Sequence, residues 1–171
     1  MVLAAGAATR FGSPKQRLLL PRVLERVRAS AVDDVVVVLG AHDVEIDARI
    51  VRARDWKDGP GASLRAGLEA LAPEVEAGVV VLADGPELSP DAVDRVIAAW
   101  RADGSPVLAA SYGGVRGHPV LLARAAWAAG PNEGARALEP QLVPCDDLGA
   151  PGDVDTAGDL QVGRFDAPPA E

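Results

Sequence analysis

Residues 79–111, VVVLADGPELSPDAVDRVIAAWRADGSPVLAAS, decide the fold. Val79–Ala83 is a short apolar run rich in β-branched residues and closed by Asp84-Gly85-Pro86, the pattern of a buried strand. Ser89 stands at an N-cap position and Pro90 at the first helical position. Val93, Val96, Ile97 and Trp100 then recur at i, i+3, i+4 and i+7, which puts them on one helical face. After Gly104-Ser105-Pro106 a second apolar run, Val107–Ser111, reads as another strand. Strand, helix and strand in this order predict a parallel pair joined by a crossover.

The same alternation extends in both directions. Val2–Ala5 and Val35–Leu39 read as strands. Leu64, Leu68 and Leu71 mark one helix, and Leu24, Val27 and Ala31 a weaker one. Further on, Leu121–Ala129 reads as helical, Glu133–Leu138 as a short helix, Leu142–Cys145 as a strand, and a last helix follows Thr156. The expected fold is therefore α/β: one domain over residues 1–165, with a mostly parallel twisted sheet flanked by helices, and a tail over 166–171. In such sheets ligands bind beyond the carboxyl ends of the strands, which points to the loops after Ala5, Leu39, Ala83 and Ser111.

Composition narrows the function. At 171 residues the chain fits one domain able to bury its own core. Aromatic residues make up 4%, which disfavours stacking platforms for single-stranded nucleic acid. A net charge of -8 disfavours DNA, RNA and acidic membranes as partners. The charge is uneven: Arg10, Lys15, Arg17, Arg22, Arg26 and Arg28 face only Glu25 within residues 1–31. That segment reads either as a local anion site or as solvated helix surface. Cys145 is the sole cysteine, so neither an internal disulfide nor a thiolate zinc cluster is available. The start lacks the pattern of a signal peptide and no apolar run approaches membrane-spanning length, so a cytoplasmic location is expected.

The loop after the first strand fails both common phosphate-binding patterns. Five residues separate Gly6 from Gly12, and Ser13 follows, which excludes a Walker A loop. Ala8 stands where a Rossmann fingerprint needs its second glycine. The chemistry still suits an anion, because Ala4, Ala5, Gly6, Ala7 and Ala8 leave backbone N–H groups approachable. Arg10 supplies a planar fork for phosphate oxygens and Lys15 a mobile point charge.

Leu3-Ala4-Ala5-Gly6-x-x-x-Arg10-Phe11-Gly12-x-x-Lys15 resembles the signature of the MobA-like NTP transferases. Its Ala-Ala-Gly form resembles the molybdenum cofactor cytidylyltransferases more than the guanylyltransferases. The resemblance implies a nucleotide-diphospho-sugar transferase fold, a Rossmann-like three-layer sandwich. It also implies a loop, Leu3 to Gly6, that wraps an NTP, with CTP favoured and with Arg10 and Lys15 on its phosphates.

Other motifs follow in the family's order. Asp84, ending a strand before Gly85-Pro86, resembles the family's Asp-x-Pro metal site; by itself it reads equally as a turn residue. Asp153-Val154-Asp155-Thr156-x-x-Asp159-Leu160 resembles a recurring motif of the cytidylyltransferase branch, which implies Asp155 as the second ligand of Mg²⁺. Thr156 with Asp159 is also a capping-box pattern. Trp56-Lys-Asp-Gly59-Pro-Gly61-Ala-Ser63-Leu64 resembles the segment from the nucleotide site into a helix, with Gly59 and Ser63 toward the nucleotide. Tyr112-Gly-Gly-Val-Arg116-Gly117-His118-Pro119 resembles the acceptor-side segment, with Arg116, Gly117 and His118 facing the second substrate. Gly134-Ala135-Arg136 matches without an assigned role. The chain departs from its relatives where Leu18-Leu-Leu-Pro21 passes directly to Arg22, without the usual glycine-containing turn.

The expected enzyme joins an NTP's nucleoside monophosphate to a phosphorylated small molecule with Mg²⁺. Molybdopterin is the first choice of acceptor by resemblance, and a sugar or polyol phosphate is the second. A molybdoenzyme partner, and a monomer or homodimer, fit the same resemblance. An acceptor that is already ionised needs no strong general base, which suits a chain whose only histidines are His42 and His118. The competing classes are a non-catalytic maturation factor, a redox enzyme and a serine hydrolase. The redox reading lacks a dinucleotide loop, and the hydrolase reading lacks a Gly-x-Ser-x-Gly elbow.

Overall fold

The computed structural model describes residues 1–6, 16–129 and 134–153. In chain order the elements are strand β1 (Val2–Ala4), helix α1 (Gln16–Arg28), strands β2 (Val36–Leu39) and β3 (Arg49–Arg52), helix α2 (Pro60–Glu69), strand β4 (Ala77–Leu82), helix α3 (Pro90–Asp103), and strands β5 (Val107–Tyr112), β6 (Val115–Ala123) and β7 (Gln141–Pro144). Short 3₁₀ turns lie at Trp56–Asp58, Arg124–Ala129, Ala135–Ala137 and Asp146–Leu148.

The strands form one sheet in the order β3-β2-β1-β4-β6-β5-β7. Among the described residues β6 alone runs against its neighbours, β4 and β5, and the remaining pairings are parallel. The expected crossover from β4 through α3 to β5 is present, but β6 occupies the place between those strands. Period-2 alternation divides the sheet's side chains between two cores. Val2, Ala4, Val37, Leu39, Val81, Leu108 and Leu121 face α1 and α3 together with Val23, Leu24, Val93 and Val96. Val36, Val38, Val80, Ala109, Val120 and Leu122 face α2 together with Leu64 and Leu68. Among the described residues, two helices on one face and one on the other make the three layers.

One expectation needs correction, and one strand has no counterpart in the sequence reading. Leu121–Ala129 is not a helix: Leu121 and Leu122 are each 1% exposed and belong to opposite cores, which only a strand allows, and the chain turns 3₁₀ from Arg124. The signal lay upstream, in Gly113-Gly114, whose φ of 60° and 74° suit a two-residue hairpin turn from β5 into β6. Edge strand β3, with arginines at both ends, carries too little apolar patterning to read as a buried strand; Arg49, Ile50 and Arg52 are exposed. Ser89 is the N-cap of α3, as expected, in extended conformation and without a side-chain capping hydrogen bond. At Leu18–Pro21, where a turn is missing from the family pattern, helix α1 runs straight through Pro21.

Candidate functional site

The ligand edge lies at the carboxyl ends of the parallel strands. The Ala5 carbonyl accepts from the Ala41 N–H at 3.2 Å and the Leu39 carbonyl from the Ala53 N–H at 2.9 Å, which ties the ends of β1, β2 and β3 together. Between them sits Gly40. A Cβ at this position would lie 2.7 Å from the Ala5 oxygen and 2.7 Å from the Trp56 Cβ, so only glycine lets β2 pass beside the first loop. Leu3 is half-buried, Ala4 and Ala5 are buried and Gly6 is exposed, with nothing within 4 Å of where a Cβ would stand. Arg10, Lys15 and Asp155 lie outside the described residues.

On one side of this edge α2 begins. Gly59 is its N-cap at φ 108°, Pro60 opens the first turn, and Ser63 is buried at 5% exposure. On the other side Asp84 leaves β4 in a turn closed by Gly85 N–H to Leu82 O at 3.4 Å. Arg22 of α1 braces that turn through Nε to the Pro86 carbonyl at 3.2 Å.

Because β6 runs antiparallel beside β4, its first residues, not its last, reach the ligand edge. Arg116, Gly117 and His118 therefore line the same cavity as Asp84, a space of about 460 Å³. Tyr112, Val115 and Leu88 supply apolar wall, and Asp153 completes it from the chain that returns after β7. That return is held by the Glu87 N–H to the Pro151 carbonyl at 2.9 Å and by Pro151 packed where a Gly85 Cβ would stand.

The Tyr112 hydroxyl donates to the His118 carbonyl at 3.0 Å, and its ring lies where a Cβ on Gly117 would meet it at 2.9 Å. Burial pushes the Tyr112 pKa up to about 12, so the hydroxyl stays a donor. Burial pushes the His118 imidazole down to about 4; Asp84 opposes that shift and Arg116 adds to it. At neutral pH His118 is therefore an uncharged hydrogen-bonding group beside a carboxylate. Arg116 Nη1 donates to the Leu138 carbonyl and Nη2 to the Ala135 carbonyl, both at 2.7 Å.

Among the described residues no group of three or more His, Cys, Asp or Glu side chains is arranged to hold a metal. Asp84 and Asp153 offer hard oxygens in one cavity, and Mg²⁺ commonly takes one or two carboxylates with the rest of its shell from water and phosphate. The donor set is thus compatible with such an ion. Sequence reasoning gave no role to Gly40, and met Tyr112 and Asp153 only as members of motifs, without placing either in the cavity wall. Gly40 closes a strand before a loop and carried a detectable signal; the other two depend on β6 and on the return after β7.

Fold and edge define a class, an α/β domain that takes small-molecule ligands at the carboxyl ends of its strands. The sequence profile of the MobA-like NTP transferase domain matches residues 1–139, and the chain belongs to that family. It is accordingly a nucleotidyltransferase. A search of the curated proteins found no match. Among solved structures, the homologue of Mycobacterium tuberculosis Rv0371c from Mycobacterium sp. strain JC1 is 27% identical, with a TM-score of 0.77, over 94% of this chain and 91% of that one. Rv0371c of M. tuberculosis H37Rv in complex with manganese is 24% identical, with a TM-score of 0.69, over 94% of each chain. The 2-C-methyl-D-erythritol 4-phosphate cytidylyltransferase of Thermus thermophilus shares the fold at 21% identity and a TM-score of 0.63, over 94% of this chain and 95% of that one. Among the described residues no helix is long and apolar enough to cross a membrane.

Proposed function

We propose that this protein transfers CMP from CTP to a phosphorylated small-molecule acceptor and releases pyrophosphate. The observation that carries this reading is the shared cavity of Asp84 with Arg116, Gly117 and His118, at the end of β4, the strand that pairs with β1. One space then offers a strand-end carboxylate and a partly apolar wall, and β1, beside β4 in the sheet, leads to Gly6.

In this reading the NTP lies along Leu3 to Gly6 and the α2 turn at Gly59 and Ser63. The acceptor occupies the cavity. One of its phosphate oxygens attacks the α-phosphorus, the bond from that phosphorus to the bridging oxygen breaks, and pyrophosphate departs with the electron pair. Arg10 neutralises the departing pyrophosphate and Lys15 the α-phosphate. His118 stays neutral and holds its place as a hydrogen-bonding wall, and the attacking oxygen, already ionised, has no proton to lose. Asp84 and Asp155 would hold Mg²⁺, which supplies charge neutralisation at the phosphates. The manganese complex of a neighbour supports a divalent cation in this fold, and the cytidylyltransferase neighbour supports CTP and a phosphorylated acceptor. Molybdopterin remains the first acceptor to try, a polyol phosphate the second. Catalysis rests on positioning and charge rather than on a strong base.

Thermal unfolding with each of the four common NTPs, with and without Mg²⁺, tests the nucleotide half. At about 100 times its dissociation constant, bound ligand adds roughly 2.7 kcal/mol. CTP is expected to raise Tm in a Mg²⁺-dependent way, and Asp84→Ala to abolish that dependence while leaving the ligand-free Tm within a few degrees. With molybdopterin as acceptor, the same variant should lower pyrophosphate release by about 10²-fold or more. A folded Asp84→Ala protein with nearly full turnover would remove Asp84 from the mechanism.

A further inference from the structure

The Gly134-Ala135-Arg136 stretch follows the family pattern, yet nothing in the transfer reaction described above uses it. In the fold it forms a bridge. The turn closes on itself through Ala137 N–H to Gly134 O at 3.3 Å and Leu138 N–H to Ala135 O at 3.1 Å. On its β6 side, the two terminal nitrogens of Arg116 donate to the Ala135 and Leu138 carbonyls. On its α2 side, Gly134 has a φ of 79°, and a Cβ there would lie 3.4 Å from the Pro60 Cβ and 3.6 Å from the Gly61 nitrogen. The same five residues thus meet the strand that lines the cavity and the first turn of the helix that starts at Gly59. A planar guanidinium spans two carbonyls at once; an ammonium is a point charge and does not reproduce that fork.

We propose that Arg116 is a positioning residue for the nucleotide end of the site: by pinning the 134–138 turn, it holds the first turn of α2 in place. Its contribution to the nucleotide end is then mechanical, exerted through the bonds its terminal nitrogens make to the two backbone carbonyls. The inference rests on the reading that the Gly59–Ser63 turn faces the NTP. It predicts an effect at a distance, in which a change on the acceptor strand alters affinity for the nucleotide with no acceptor present.

The test uses two variants of the full chain, Arg116→Lys, which keeps the charge but loses the fork, and Gly134→Ala, which places a side chain at a left-handed φ against Pro60. Calorimetry measures CTP binding with Mg²⁺, and hydrogen exchange follows the amides of α2 and β4. Loss of the two charge-assisted bonds is expected to weaken CTP binding about tenfold in Arg116→Lys, with a similar loss in Gly134→Ala. Both changes act through one turn, so the double variant should lose little more than either alone. Exchange should accelerate in α2 and stay unchanged in β4. Wild-type CTP affinity in Arg116→Lys, or weakened binding with α2 exchange unaltered, would overturn the proposal. If the wild-type protein itself bound no NTP, the transferase reading would fail instead. Exchange in α2 would still decide whether Arg116 holds the turn, acceleration upholding the clamp and no change refuting it.

Discussion

His118 sits in the cavity wall as a neutral imidazole because water is largely excluded there, and a charged ring would lose its hydration. Its folded pKa of about 4 lies below the ordinary 6.5, so between those values the unfolded chain binds more protons than the folded one. Stability from this residue is complete above pH 6.5 and is lost as pH falls toward 4, by on the order of 3 kcal/mol. Urea midpoints of the metal-free protein between about pH 4 and 7 should therefore rise with pH, and His118→Gln should flatten that slope. Parallel profiles for the two proteins would show that the imidazole is solvated. Asp84 was readable at this scale because a carboxylate between a β-branched run and Gly-Pro has one place to stand, the strand's end. The partners of Arg116 were not, because the Ala135 and Leu138 carbonyls accept by virtue of position rather than side-chain type, and no residue pattern announces them.

Helix α1 contains Pro21 in its interior, where proline cannot donate to the carbonyl four residues back and its ring crowds that carbonyl. The side chain is exposed, so little packing depends on it. Replacing it, as Pro21→Ala, should restore the bond to the Arg17 carbonyl and stabilise the protein by about 1–3 kcal/mol, read as a higher urea midpoint with unchanged slope. A lowered midpoint would mean that α1 requires a bend at this position. The contrast between α3 and β6 shows what periodicity carries. In α3 the apolar residues keep one face, and the helix begins at Pro90 and ends before Gly104, at φ 71°, as the pattern reads. In β6 the run Val120-Leu121-Leu122 is apolar on both faces because the strand is sandwiched between two cores, and a continuous apolar run does not distinguish strand from helix.

Across the whole molecule one sheet serves two cores, with Trp100 packed against the first and Trp127 against the second. Adjacent residues of β1, β2 and β5 face alternate cores, so neither layer can loosen without losing the strands of the other. Two single-tryptophan proteins, one keeping Trp100 and one keeping Trp127, should each show a fluorescence transition in urea that overlays its own circular dichroism. Separated transitions in either would show that the layers unfold independently. The local sequence determined the layers: strands two residues in period, helices near 3.6, a small-residue loop after β1 and a carboxylate at the end of β4. Those features depend on which neighbours along the chain are buried, and that is written in the order of residue types. The tertiary structure decided that β6 enters antiparallel between β4 and β5, that His118 thereby shares a cavity with Asp84, and that a turn around residue 135 joins β6 to α2. Strand pairing depends on contacts between residues distant in the chain, where several registers bury similar apolar area, and only the packed sheet selects one.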